Sequence, residues 1–319
     1  MLNLCILDAD TLGSDVDLSI FEEFGNLTIY PATFKDEVVE RIKDQDIIIT
    51  NKVVLNENNL SYAPRVQLIC ITATGTNNVD LEYTRKRGIT VTNVAGYSTP
   101  SVVQHTFGML FYLMESLKYY DDYVKSGRYT DSNLFTHLGK PFNEIKDKTW
   151  GIIGLGTIGF EVAKVASAFG CKVIYFSTSG KNNNPAYKKV EWEELITTSD
   201  IISIHCPLNE KTKNLITYKE LQKMKKNVFL LNLGRGSIVN EADLARALDE
   251  NLIAGAGLDV LENEPLKKDN PLLHIKNKDK LLITPHIAWG SREARIRLIE
   301  EVKLNIAAFL KGERRNIVE

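Results

Sequence analysis

Gly154-Leu155-Gly156-Thr157-Ile158-Gly159 lies between a short apolar run, Trp150-Gly151-Ile152-Ile153, and a helical pattern, Phe160-Glu161-Val162-Ala163-Lys164-Val165-Ala166. Strand, glycine turn and helix in that order are the context a dinucleotide site requires. The glycines permit a tight turn, close approach of the backbone to a pyrophosphate and close helix–strand packing. The helix N-terminus adds N–H donors and positive potential. A glycine triplet alone is a weak signal, and the flanking strand and helix give it weight. Such folds usually begin at this motif, so the long stretch ahead of Gly154 needs its own explanation.

Ahead of the motif, β-rich runs at Leu4–Leu7, Leu27–Tyr30, Ile47–Thr50, Leu68–Thr72 and Thr90–Val94 alternate with helical patterns such as Asp36–Lys43 and Asp80–Arg87. That alternation describes a small parallel α/β domain. A long helix over 99–126 is then predicted, with Thr99 as N-cap, Pro100 at the first helical position and Gly127 as the stop. Its apolar stripe runs through Val103, Phe107, Leu110, Leu113 and Leu117. The polar segment Arg128–Lys148 is expected to lie across a neighbour, either the other domain or another subunit.

Strands of a second sheet are expected at Gly151–Ile153, Lys172–Phe176, Ile201–His205, Val228–Leu233, Ala254–Asp259 and Leu281–Thr284. Lys181-Asn182-Asn183-Asn184-Pro185 reads as a polar loop. The last helix, Ser291–Lys311, has a stripe through Ile296, Ile299, Val302, Ile306 and Leu310. It follows the completed second sheet, so it should pack back on the first domain. The expected fold is α/β, with two Rossmann-like or flavodoxin-like parallel sheets and a cleft between them. Residues 1–98 plus 289–319 form one domain, and 99–288 are an insertion joined by two crossings, which favours a hinge.

The chain has 319 residues and a net charge of −2, enough length for two cores and no basic field for nucleic acid. Met1-Leu2-Asn3-Leu4-Cys5-Ile6-Leu7-Asp8 reads as a strand rather than a leader, and no apolar run approaches the ~20 residues of a membrane span. Cys5, Cys70, Cys171 and Cys206 have no metal-ligand spacing and read as buried thiols in a reducing compartment. A cytoplasmic protein that binds no metal is expected.

Ligands of open parallel sheets bind beyond the carboxyl ends of the strands. One strand here ends in His205-Cys206-Pro207 and another in Asn232-Leu233-Gly234-Arg235-Gly236. A third ends at Asp259 with Glu262 and Glu264 in the turn, and a fourth in Thr284-Pro285-His286. An arginine, an acid and a histidine therefore converge on the edge that holds the glycine turn. Position alone does not choose between His205 and His286; the company of Glu264 and a rigid Pro285 favours His286. His105 and His137 read as structural or interfacial, and Lys52 as a solvated lysine. Tyr97 and Trp289 fit equally as pocket-shaping or packing residues.

The ordered set Gly154–Gly159, His205-Cys206-Pro207-Leu208, Asn232-Leu233-Gly234-Arg235-Gly236, Asp259-Val260 with Glu264-Pro265, and Thr284-Pro285-His286 resembles the D-isomer-specific 2-hydroxyacid dehydrogenase family over nearly the whole chain. Asn93-Val94-Ala95-Gly96-Tyr97-Ser98 and Ile287-Ala288-Trp289-Gly290-Ser291-Arg292-Glu293-Ala294-Arg295 are most similar to its glycerate dehydrogenase (hydroxypyruvate reductase) branch. The resemblance implies reversible hydride transfer between a nicotinamide and C2 of a small 2-keto or 2-hydroxy acid. His286 would be the acid in reduction and the base in oxidation, with a Glu264 carboxylate favouring the protonated ring and fixing its tautomer. Arg235 would grip the substrate carboxylate and polarise the ketone. Ala73-Thr74-Gly75-Thr76 would supply a backbone cradle, with Thr74 and Gly75 as substrate contacts.

By the same resemblance the cofactor set is Gly154, Gly156, Thr157, Ile158, Gly159, Ser177, His205, Cys206, Pro207, Thr212, Leu233, Gly234, Arg235, Asp259 and His286, with Asp259 on the nicotinamide side. A homodimer through the helix from Pro100 and the segment after it is implied too. One position departs from the pattern. The acid expected to grip the ribose hydroxyls at the end of Val173-Ile174-Tyr175-Phe176 is replaced by Ser177, followed by Thr178, Ser179, Gly180 and Lys181. Losing that carboxylate removes repulsion against a 2′-phosphate, so the expected cofactor is NAD or NADP, with NADP or dual use favoured. The alternatives are a phosphoglycerate or D-lactate-type dehydrogenase, or a dinucleotide-sensing protein without turnover. A sensor would have no need to keep Arg235, Glu264 and His286 together.

Overall fold

A computed structural model describes residues 1–318, which divide into two compact units: Met1–Ser98 with Gly290–Glu319, and Thr99–Trp289. In the first unit, β1 (Leu2–Ile6), β2 (Gly25–Ile29), β3 (Ile47–Thr50), β4 (Leu68–Ile71) and β5 (Thr90–Thr92) form a parallel sheet in the order β2-β1-β3-β4-β5. Short helices α1 (Val38–Ile42), α2 (Glu57–Leu60) and α3 (Leu81–Lys86) connect its strands. Every residue of Ile47–Thr50 and Leu68–Ile71 is buried, which is why these runs are continuously apolar rather than alternating. α2 has no apolar period in the sequence; its signature is the pair Asn56 and Asn59, with the Asn56 side chain accepting the Asn58 N–H and the Asn59 side chain accepting the Asn56 N–H.

The second unit opens with α4 (Thr99–Met114) and α5 (Leu117–Lys125). The single helix expected over 99–126 is thus two. Ser116 takes a left-handed conformation, φ 53°, at the break. α4 buries Val103, Phe107, Leu110 and Leu113 against the sheet, whereas α5 buries nothing and Leu117 is exposed. One straight cylinder could not serve both environments. Thr99 is not the N-cap either, since it is already helical and its buried Oγ1 has no partner among the described residues.

A seven-stranded parallel sheet follows: β6 (Thr149–Ile153), β7 (Lys172–Phe176), β8 (Lys188–Lys189), β9 (Ile201–Ile204), β10 (Phe229–Asn232), β11 (Gly255–Leu258) and β12 (Leu281–Ile283), in the order β12-β11-β10-β9-β6-β7-β8. Its crossovers are α6 (Thr157–Ala168), α7 (Trp192–Thr198), α8 (Tyr218–Lys223) and α9 (Glu241–Asp249). The strand order reverses at β6, the first strand, and such a switch point opens a crevice at the carboxyl edge. Separate apolar cores cover the two faces. Trp150, packed 4.8 Å from Phe107 and hydrogen-bonded through Nε1 to Ser203 Oγ at 2.8 Å, anchors one of them. The polar pair forming β8 carries no strand signal.

The last helix, α10 (Arg292–Leu310), belongs to the first unit and is capped by Ser291, whose side chain accepts the Ala294 N–H. Ile299, Val302 and Ile306 are buried as expected, but Ile296 is half-buried and Leu310 exposed; Ala294 and Leu298 complete the buried face instead. Among the described residues no helix is long and apolar enough to cross a membrane. All four cysteines are free and buried.

Candidate active site

Strand register brings the chemistry of the second unit to one level. Ile153 pairs with Phe176 and Ile204, Ile204 with Asn232, Asn232 with Leu258, and Leu258 with Ile283. One residue further along each strand stand Gly154, Ser177, His205, Leu233, Asp259 and Thr284. His205 and Asp259 therefore sit just past their strands rather than inside them. This row rims the crevice that the switch point opens.

At its centre, a cavity of about 630 Å³ is lined by Gly154, Leu155, Gly156, Ser177, Lys181, Asn182, His205, Cys206, Pro207 and five neighbours of their loops. Gly154 has φ 91°, and a Cβ there would lie 2.8 Å from the Cys206 backbone nitrogen, so the turn closes only with glycine. Gly156 is the N-cap of α6 and offers no side-chain cap, which leaves the first N–H groups of the helix open. An empty Cβ position at Gly156, open helix N–H groups and a cavity of this size fit a dinucleotide pyrophosphate. Thr157 and Ile158 form the first turn of α6 without lining the cavity.

The loop after β7 is more than a polar connection. Ser177 is buried, its Oγ accepts the Asn182 N–H at 3.2 Å, and Asn182 Nδ2 donates to the Leu155 carbonyl inside the glycine turn. Nothing in the sequence singles out Asn182, because asparagine in a turn is too common to signal a tie of this kind. Thr212 is not brought to the cavity. It is fully buried, and its Oγ1 donates to the Pro207 carbonyl at 2.7 Å and accepts the Asn209 N–H at 2.8 Å, bracing the loop.

His205 and His286 have separate fates. Both ring nitrogens of His205 are buried with no hydrogen-bond partner among the described residues, and burial pushes its pKa down from 6.5 to about 3. His286 Nδ1 lies 2.7 Å from Glu264 Oε2, while Glu264 Oε1 accepts the Leu261 N–H at 2.9 Å. With Nδ1 facing a carboxylate, the proton of a neutral ring sits on Nδ1 and Nε2 is left for exchange. His286 has a left-handed backbone, φ 56°.

Asp259 holds that backbone. It is 2% exposed; Oδ1 accepts the Thr284 hydroxyl at 2.7 Å and the Ile287 N–H at 2.9 Å, and Oδ2 accepts the Ala288 N–H at 2.9 Å. Arg235 is exposed at the next strand end, on a turn bridged by Asn232, which donates to the Arg235 carbonyl and accepts the Gly234 N–H. A Cβ at Gly236 would lie 1.9 Å from the Leu261 carbonyl carbon, so the Arg235 turn abuts the loop carrying Glu264. Leu233 is buried beneath that turn.

In the first unit, Thr74 Oγ1 donates to the Val94 carbonyl at 2.9 Å and the Thr74 carbonyl accepts Asn93 Nδ2 at 2.7 Å, fixing the 73–76 loop beyond β4. Lys52 is exposed, yet its N–H is held by the buried Asp8 carboxylate at 2.7 Å. Tyr97 is buried, and Trp289 packs partly buried against a core of the second unit. His137 stacks on Tyr123 at 3.8 Å and bonds Tyr119 at 2.8 Å, far along the segment after α5.

Residues 107–288 match the family profile described as D-isomer specific 2-hydroxyacid dehydrogenase, NAD binding domain. The chain is 36% identical over 325 residues to the hydroxypyruvate reductase of Blautia hydrogenotrophica, covering 99% of each protein. It is 38% identical to the glycerate dehydrogenase of Methylorubrum extorquens, covering 89% of this chain and 88% of that one. Among solved structures, D-lactate dehydrogenase from Aquifex aeolicus complexed with NAD and lactic acid superposes with a TM-score of 0.84 at 30% identity, covering 98% of this chain and 96% of that one.

Proposed function

This chain belongs to the D-isomer specific 2-hydroxyacid dehydrogenase family, and we propose that it reduces hydroxypyruvate or glyoxylate to D-glycerate or glycolate, with His286, Glu264 and Arg235 as its catalytic residues. It is an oxidoreductase acting on a CH–OH group with a nicotinamide cofactor. The observation that carries the assignment of roles is the 2.7 Å pair of His286 Nδ1 with Glu264 Oε2, on loops at the same carboxyl edge of the sheet as the glycine turn.

A nicotinamide dinucleotide held at the Gly154–Gly159 turn would supply hydride chemistry at C2 of the substrate. His286 gives a proton from Nε2 to the carbonyl oxygen as that bond is reduced, and receives it in the reverse direction. Glu264 acts through Nδ1: it compensates the imidazolium and holds the ring so that Nε2 faces the substrate. The tie from Leu261 to Oε1 keeps Oε2 aimed at the histidine. Arg235 takes the substrate carboxylate in its planar guanidinium fork.

For the cofactor we favour NADP or dual use. The support is a neutral Ser177 where a ribose-binding acid would repel a 2′-phosphate, with Thr178, Ser179 and Lys181 lining the same cavity. A homodimer is the proposed assembly. Leu134, Phe135, Leu138 and Phe142 are all exposed, Phe135 to 91%, a concentration of apolar surface that a monomer rarely shows. Oxidation of NADH and NADPH with hydroxypyruvate, glyoxylate, pyruvate and phenylpyruvate tests the proposal. Highest kcat/KM on pyruvate or phenylpyruvate would overturn the substrate, and no turnover on any would overturn the reaction.

A further inference from the structure

Two side chains of α4, one helical turn apart, reach opposite ends of the segment that carries His286. Ser101 Oγ donates to the Ala288 carbonyl at 2.6 Å, and His105 Nε2 lies 3.0 Å from Thr284 Oγ1. The i, i+4 spacing puts both on one helix face.

The direction of the second contact follows from counting protons. A threonine hydroxyl has a single hydrogen. Thr284 gives it to Asp259 Oδ1 at 2.7 Å, because the carboxylate has none to offer. Thr284 Oγ1 is then the acceptor toward α4, and His105 Nε2 carries the hydrogen. Donors therefore run one way, from His105 to Thr284 to Asp259. The same carboxylate receives the Ile287 and Ala288 N–H groups, and the Asp259 carbonyl accepts the His286 N–H at 2.8 Å.

The whole network surrounds one turn. His286 occupies it at φ 56°, a region unfavourable for a residue with a Cβ that persists where its surroundings over-determine it. A histidine kept only for packing would bury its ring, yet the His105 side chain is 24% exposed and directs Nε2 at Thr284, with Asp259 Oδ1 3.6 Å from the same nitrogen.

We propose that His105 is a positioning residue for the reaction. Through Thr284 and Asp259 it fixes the start of the His286 turn, while Ser101 fixes the end, so that the imidazole stays on Glu264 and presents Nε2. The proposal rests on the assignment of proton transfer to His286.

The test compares His105→Leu, which removes the donor, with His105→Gln, whose amide can still donate to Thr284. In the unliganded protein, amide hydrogen exchange at Ile287 and Ala288 should accelerate about tenfold in His105→Leu. In steady-state assays kcat should fall about tenfold while the Kd for NADH stays within twofold. His105→Gln should recover at least half of each loss on a logarithmic scale. Unchanged exchange, unchanged kcat or equal losses in the two variants would each overturn the positioning role. Should the native enzyme turn over no 2-keto acid, the reaction assignment falls, and the exchange experiment still decides whether His105 holds the turn.

Discussion

Asp259→Asn is the substitution whose consequence can be worked furthest from the geometry. The carboxylate accepts three hydrogen bonds from a buried position, two from backbone N–H groups and one from Thr284. Asparagine keeps the shape but replaces one acceptor oxygen with a donor. In its better orientation the amide oxygen retains Thr284 and Ile287, and its NH2 faces the Ala288 N–H. Two buried donors then oppose each other, at roughly 1–3 kcal/mol for an unpaired group, and the two retained bonds lose charge assistance, about 1 kcal/mol each. Relief from burying a charge offsets part of this, leaving a net loss of about 3 kcal/mol. For a unit of this size that lowers Tm by about 6–12 °C. The His286 turn loses its anchor as well, and displacement of a reacting group by about 1 Å can lower turnover about a hundredfold. Thermal unfolding by circular dichroism and steady-state kinetics with hydroxypyruvate measure both. A Tm within 2 °C of the parent and a kcat within twofold would show that the turn does not depend on this carboxylate.

Glu264→Gln should lower kcat at least tenfold with little change in cofactor affinity, since the amide cannot both accept from Leu261 and compensate an imidazolium; a kcat close to the parent's would remove Glu264 from the mechanism. Lys181→Ala should raise KM for NADPH several-fold and leave that for NADH unchanged, and equal effects on both would end the 2′-phosphate reading. Burial holds His205 neutral in the fold, from 6.5 down to about 3, while the unfolded chain takes up a proton below about 6.5. Its contribution to stability is thus complete above pH 6.5 and lost as pH falls toward 3, with a slope of at most about 1.4 kcal/mol per pH unit. His205→Leu should flatten urea midpoints between pH 6.5 and 4, and an unaltered slope would contradict this. Burial also pushes the Cys206 thiol up to about 11, so alkylation followed by mass spectrometry should be slow at pH 8 and rise about tenfold per pH unit.

Much of the fold was legible because parallel strands buried on both faces must be continuously apolar. Ile47-Ile48-Ile49 and Ile201-Ile202 admit few other readings. The break at Ser116 was hidden, since both flanking segments have helical spacing and only their different burial separates them. Lys188-Lys189 becomes a strand solely by pairing at the sheet edge beside Ile174 and Tyr175. Thr99, plausible as a cap by residue type, is helical instead, because capping depends on where the preceding chain turns.

The site divides along the same line. Gly154, Arg235, Asp259 and His286 could be placed at strand ends from the sequence, since once the apolar runs are in register the residues that follow them must share an edge. Pairing among those residues depends on loops that return from elsewhere in the chain. Only the tertiary structure seats Glu264 on His286 and seals the nitrogens of His205. It also turns Asp259 toward two N–H groups arriving from the far side of β12, and brings a histidine of α4 against Thr284. Side-chain partnership is a matter of ångströms between distant segments, whereas strand identity is a matter of local apolar pattern, and a linear sequence carries the second far more openly than the first.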